Sequence, residues 1–166
     1  HDDIDLYIGP NLPEDATISR ISLRDYPVAI YYDSKVRSAP TTIDDFLKSE
    51  FIRHTEAPKT FGVVDKALRK QGYPDRRFRF IVSDFSSFAD LLPGTDLLIT
   101  ASTIMRESIF GHCSIAPIPA GLDVGTISHE ICWSKRKESM PCIQWLISLY
   151  RECNDANPPI SLKSTQ

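Results

Sequence analysis

The sequence predicts an α/β fold, on three observations. Apolar residues alternate between a two-residue and a 3.6-residue period along the chain. Turn-forming residues fall where the period changes. Single helical segments separate successive strands, the spacing of crossovers that join parallel neighbours, so the strands should be largely parallel.

At 166 residues, 42% apolar and 25% charged, the chain suits one domain or two small lobes, burying roughly 70% of its surface. The first strand is expected at residues 4–8, alternating toward Gly9-Pro10, with a polar loop over 13–19 and a second strand at 26–32. Thr42 can cap a helix with Asp44 and Asp45 in its first turn, where carboxylates suit the helix dipole. Residues 51–54 read as the next strand. Thr60 can cap a helix with the stripe Val63, Val64, Ala67 and Leu68, ended by Gly72 and Pro74. A strand over 77–83 leads into caps at 84–87, a short helix through Phe88 and Leu92, and a stop at Pro93-Gly94. Residues 97–100 form a continuous apolar strand, as if buried on both faces. A helix over 103–110, strands over 114–118 and 126–133, and a closing helix over 141–153 complete the order. That last helix should bury Cys142, Leu146, Leu149, Tyr150 and Cys153, and everything after Asn154 reads as a frayed tail.

Charge and composition exclude several functions. Nineteen basic against 22 acidic residues give a net charge of −3, without the basic excess that phosphate-backbone binding needs. The apolar runs fall far short of the ~18 residues of a membrane span, and His1-Asp2-Asp3 is no start for a signal peptide, so a cytoplasmic protein with no membrane partner is expected. Four cysteines, Cys113, Cys132, Cys142 and Cys153, form no CxxC pair and are expected as buried reduced thiols. His129 and Cys132 fall on opposite faces of a strand, and Cys142 and Cys153 lie about 16 Å apart along a helix. No metal or other cofactor is therefore expected.

No catalytic signature is present: there is no GxSxG, HExxH, Gly-rich phosphate loop or GxGxxG. Adjacent side chains diverge, so His112-Cys113 reads as packing rather than as a nucleophile pair. The segments with chemical potential are those just past strands, where open α/β sheets bind ligands: Gly9-Pro10-Asn11, His54-Thr55-Glu56, Asp84-Phe85-Ser86-Ser87 and Thr100-Ala101-Ser102. In a parallel sheet they gather on one edge. Helix-start amides after Ser86, the hydroxyls of Ser86, Ser87, Thr100 and Ser102, and the Phe85 ring would suit a carboxylate or a hydroxylated small molecule; the plainer alternative is that these hydroxyls only cap helices.

The order of segments from Asp3 to Cys153 resembles the effector-binding domain of LysR-type transcriptional regulators. The resemblance lies in the ordered set: residues 3–9, Thr41 to Phe46, Val64-Asp65 through Gly72, Arg76-Arg77 with the strand to Ser83 and Phe85, Gly94-Thr95-Asp96-Leu97-Leu98-Ile99, and Trp133-Ser134-Lys135-Arg136 followed by Pro141 and Trp145-Leu146. Met140 and Ser134 depart from the family's pattern, with Ser139 placed to cap the last helix. The resemblance implies a bilobed, type 2 periplasmic-binding-protein-like fold. Lobe two (25–120) would be complete, and lobe one (3–22 with 122–153) partial, beginning at the family's third strand; residues 154–166 would be a flexible tail. It implies a small-molecule effector, aromatic or carboxylate, held between the lobes by His54, Thr55, Asp84, Phe85, Ser86, Thr100 and Ser102. It further implies no catalysis, homo-oligomers of the parent regulator, and DNA reading by an N-terminal helix-turn-helix outside this chain. A solute-binding protein of the same architecture is the alternative; a small α/β enzyme is disfavoured because no nucleophile, base and orienting group come together.

Overall fold

The structure, a computed structural model, describes residues 5–10, 15–54 and 62–156. Its elements run β1 (Leu6–Pro10), β2 (Ile18–Tyr32), α1 (Ile43–Lys48), β3 (Glu50–His54), α2 (Val63–Lys70), β4 (Arg77–Val82), α3 (Phe85–Asp90), β5 (Ile99–Ser102), β6 (Ser114–Pro117), β7 (Thr126–Ser134) and α4 (Pro141–Ala156). They divide into two compact units. Unit 1 takes the chain up to Tyr26 and from Thr126; unit 2 runs from Pro27 to Gly125. The predicted strand start at Ile4, the Asn11 loop, Glu56, the Thr60 cap and the tail from 157 onward lie outside the described residues.

In unit 1, β1 pairs antiparallel with β7, from Leu6 opposite Trp133 to Pro10 opposite His129. Leu6, Ile21 and Leu23 join Ile131 and Trp133 in packing against Ile143, Ile147 and Tyr150 of α4. Two expectations change here. β2 begins at Ile18, where a loop was expected through Ser19 and a strand only from Tyr26; Ile21 and Leu23 supply the core-facing alternation, and Arg20 meets Glu130 at 3.6 Å across the sheet. The stripe of α4 that faces the sheet is buried Ile143 and Ile147 with partly buried Tyr150; of the expected set only Tyr150 packs there, and Cys142, Leu146, Leu149 and Cys153 are exposed. Cys113 and Cys132 alone of the cysteines are buried. The helix also runs past Cys153 to Ala156.

Unit 2 is a sheet with helices on both faces. β3 pairs in parallel with β4. Leu98 bridges in parallel to Phe51, with Ile52 N donating to Leu98 O at 2.9 Å and Leu98 N to Glu50 O at 3.0 Å. β2 lies antiparallel between β5 and β6, pairing Val28–Tyr31 with one and Ala29–Tyr32 with the other. The order is therefore β4-β3-β5-β2-β6, with β2 alone reversed. This corrects the simple expectation of parallel neighbours: the crossover argument holds for β3, β4 and β5, each reached through a helix, and fails for β2, which precedes every crossover.

One sheet face carries Ala29, Tyr31, Ile52, Leu97 and Ile99 against Phe88, Ala89 and Leu92 around α3, with Phe110 beneath, its ring stacked on Tyr31 at 4.3 Å. The opposite face carries Phe51, which meets Phe46 of α1 edge-on at 4.9 Å. α1 starts as predicted, with Asp45 N donating to Thr42 Oγ1 at 3.1 Å. α2 starts after Gly62, and past its last residue, Lys70, the chain turns away at Gly72, whose φ of +79° suits glycine. There Tyr73 N reaches back to Leu68 O and Gly72 N to Arg69 O, satisfying the last carbonyls. Residues 103–110 do not form the expected α-helix. Ser108, Ile109 and Phe110 all direct their N–H groups to Met105 O, so the turn closes on one carbonyl and only a short 3-10 helix, Thr103–Glu107, forms.

Candidate functional site

Because β3, β4 and β5 are adjacent and parallel, their carboxyl ends, His54, Val82 and Ser102, lie on one edge of the unit 2 sheet. β2 enters unit 2 at the same edge, Val28 pairing with Ser102. The segments at 54, 84–86 and 100–102 are thus brought together by the sheet itself.

His54 ends β3, half-buried, its ring 5.9 Å from Phe88. Its Nε2 lies 3.2 Å from Ser83 O. A carbonyl only accepts, so Nε2 is the donor in this contact. Thr55 lies outside the described residues. Asp84 caps α3, accepting from Ser87 N at 2.9 Å and Ser87 Oγ at 2.7 Å. That contact corrects the expectation of helix-start amides open to a carboxylate, since Asp84 already takes the Ser87 N–H and places a negative charge there. Phe85 and Ser86 occupy the first turn of α3, and only their backbone is described.

Thr100 and Ser102 share one face of β5 by strand alternation. Thr100 is half-buried and Ser102 is 5% exposed. The Ser102 carbonyl accepts from Tyr31 OH at 3.0 Å, while its hydroxyl, like that of fully buried Thr103, has no hydrogen-bond partner among the described residues. Burial pushes the Tyr31 pKa up, so the phenol stays a donor.

A buried charge cluster under this edge was not anticipated from the sequence. Asp65 and Arg76 side chains are each 4% exposed and joined at 2.8 Å through both Arg76 Nε and Nη2 to Asp65 Oδ1. The guanidinium lies over Phe51 at 4.7 Å and Phe78 at 5.1 Å, and its Nη1 donates to Thr100 Oγ1 at 2.8 Å. Burial lowers the Arg76 pKa and Asp65 opposes the shift; an arginine starts so far above neutrality that it remains charged. One signal was available: Asp65 directly follows buried Val64 and lies three residues before Leu68, at the border of the α2 stripe. Among the described residues no group of three His, Cys, Asp or Glu side chains is placed to hold a metal ion, and no helix is long and apolar enough to cross a membrane.

No protein-family model and no curated protein matches the sequence. Solved structures do. The regulatory domain of MexT, a transcriptional activator in Pseudomonas aeruginosa, is similar at TM-score 0.75 and 20% identity over 90% of this chain and 74% of that one. The BenM effector-binding domain with its effector benzoate gives TM-score 0.72 and 15% identity over 99% and 77%. CbnR, a LysR family transcriptional regulator, gives 0.66 and 11% over 91% of this chain and 52% of that one, so this chain spans about half of CbnR. The fold is therefore the type 2 periplasmic-binding-protein-like fold of regulatory domains. The chain shares that fold with these regulatory and effector-binding domains, of which CbnR is a LysR family transcriptional regulator.

Proposed function

We propose that this chain senses a small-molecule effector for a LysR-type transcriptional regulator, with unit 2 as lobe two and unit 1 as part of lobe one. The effector site lies at the carboxyl edge of the unit 2 sheet and uses His54, Asp84, Thr100 and Ser102, together with the sequence neighbours Thr55, Phe85 and Ser86. The observation that carries the reading is that three parallel strands deliver these segments to a single edge. The polar groups there are a histidine, hydroxyls and a capping carboxylate, a set suited to hydrogen-bonded recognition. Their pairings also favour binding over catalysis: His54 is hydrogen-bonded to a backbone carbonyl and Thr100 to a guanidinium, so neither completes a nucleophile and base. DNA reading belongs to another part of the regulator, since this chain carries a net charge of −3.

The test is an NMR titration of the chain with a set of small organic acids, amines and neutral aromatics. Binding that shifts the resonances of His54, Thr100 and Ser102 is expected. Hits that leave all three unmoved, or no hit at all, would overturn the assignment.

A further inference from the structure

α4 turns two apolar stripes in two directions, and the sheet of unit 1 uses one of them. At about 100° per residue, Cys142, Leu146, Leu149 and Cys153 fall within about 60° of one another, roughly a quarter-turn from the stripe of Ile143, Ile147 and Tyr150 that packs on the sheet. All four are exposed, as is Trp145 beside them at 62%. A continuous exposed apolar stretch marks an interaction surface. Its spacing of four, three and four residues is the repeat with which one helix packs along another. The order Cys-Leu-Leu-Cys also reads the same from either end. A two-fold axis midway between Leu146 and Leu149 therefore sets Leu146 opposite Leu149 of a second copy, and Cys142 opposite Cys153, each contact made twice. A seam that fits its own reverse is what an isologous interface requires.

Charge sets the direction of the pair. The turn Lys135–Lys137 before α4 exposes Lys135 and Arg136, and the neighbouring Glu138 accepts from Ser19 Oγ at 3.3 Å. At the other end Glu152 is exposed next to the seam, Arg151 lies on the opposite side of the helix, and the last turn carries no basic residue against the negative end of the helix dipole. Antiparallel packing lays that negative end beside the basic turn of the other copy, whereas parallel packing sets like charges together. We propose that the outer face of α4 is a self-association surface, occupied by α4 of a second copy of this chain in antiparallel, two-fold packing around Leu146 and Leu149, with Trp145 at its rim. The proposal is independent of the effector-site reading, which concerns unit 2. One face of a 16-residue helix buries less than the roughly 800 Å² per partner of a standard interface. The association is therefore reversible, and both exposed cysteines stay reactive in the dilute chain.

Sedimentation equilibrium of the full chain, from micromolar to millimolar concentration, is expected to show monomers in equilibrium with dimers. Leu146→Lys and Leu149→Glu change exposed positions, so each variant should keep its fold by amide dispersion, and each should weaken self-association at least about 10-fold. Mixing the two variants should restore a one-to-one dimer: antiparallel packing sets the introduced lysine against the introduced glutamate and keeps one contact of Leu149 with Leu146, and parallel packing offers neither. A bismaleimide too short for the about 16 Å between Cys142 and Cys153 of one helix should join Cys142 of one copy to Cys153 of the other, read by peptide mapping of the covalent dimer. A chain that stays monomeric at millimolar concentration would overturn the proposal, as would dimers that both single variants leave at wild-type strength. A mixture that associates no better than either variant alone, or cross-links that join only Cys142 to Cys142 or Cys153 to Cys153, would overturn it as well.

Discussion

Removing Arg76 alone strands the Asp65 carboxylate in a site where each side chain is only 4% exposed. Breaking a buried pair from one side typically costs about 3–5 kcal/mol, whereas replacing both partners by apolar residues of similar volume is often neutral. Arg76→Met is therefore expected to destabilise the chain by that amount in urea unfolding, and Asp65→Leu/Arg76→Met to recover most of it. An equal loss in the double variant would show that the bond to Thr100, not the balance of charge, is what the cluster contributes. The cysteines give a second contrast between residues of one type. Burial pushes the Cys113 and Cys132 thiols up, with Arg106 and Arg20 respectively opposing the shift, while Cys142 and Cys153 lie exposed on α4. Alkylation of the native chain at neutral pH should label Cys142 and Cys153 rapidly and the other two only after unfolding; mass mapping of the labelled peptides reads the result.

Among the elements, α4 shows where periodicity in the sequence misleads. Its residues offer two apolar stripes, one through Ile143, Ile147 and Tyr150 and one through Cys142, Leu146 and Leu149, and spacing alone does not choose between them. The sheet chooses the first, leaving Leu146 37%, Leu149 40% and Trp145 62% exposed. Ile143→Ala should cost about 2–5 kcal/mol, and Trp145→Gln less than about 0.5 kcal/mol, by chemical denaturation. The elements with matched caps, stripes and stops were legible: Thr42 for α1, Asp84 for α3 and Gly72 for the end of α2 are all where their chemistry placed them. The start of β2 was not, because Ser19, Arg20, Ser22 and Arg24 gave a mostly polar composition while only Ile21 and Leu23 carried the alternation. At the candidate site the positions of loops relative to strands were readable; the inward turn of Arg76 was not, since a charged residue announces its burial only through partners brought from elsewhere in the chain. β7 adds a pH dependence. Burial lowers the pKa of His129 from its ordinary 6.5, beside Tyr26 at 5.2 Å. Above that pH the ring is neutral in folded and unfolded chains alike. As pH falls through 6.5 the unfolded chain takes up the proton first, so stability declines from there down to the folded pKa. Thermal unfolding midpoints should fall over this window in the wild type and fall less in His129→Gln.

For the whole molecule, the two units differ in how much apolar packing holds them. In unit 2 the sheet is covered on both faces, by α3 with Phe110 on one and by α1 with α2 on the other, and Tyr31, Phe46, Phe51, Leu68, Leu92, Leu98, Ile99 and Phe110 are fully buried. In unit 1 the buried cluster is Ile131, Trp133, Ile143 and Ile147, while Tyr7 and Ile8 of β1 are 43% and 40% exposed. Each fully buried large apolar side chain contributes about 1.5–3 kcal/mol, against about 1–2 kcal/mol of backbone entropy for every residue ordered. By that comparison unit 1 holds β1, β7 and the 16 residues of α4 on few anchors. Local opening should therefore need less free energy in unit 1 than in unit 2. Native-state hydrogen exchange is expected to show faster exchange at Ile8 and Ile131 than at Ile52 and Ile99, although all four sit in paired strands. Protection of Ile131 equal to that of Ile99 would mean that the small cluster under α4 opens only with the whole chain, and that the two units unfold as one.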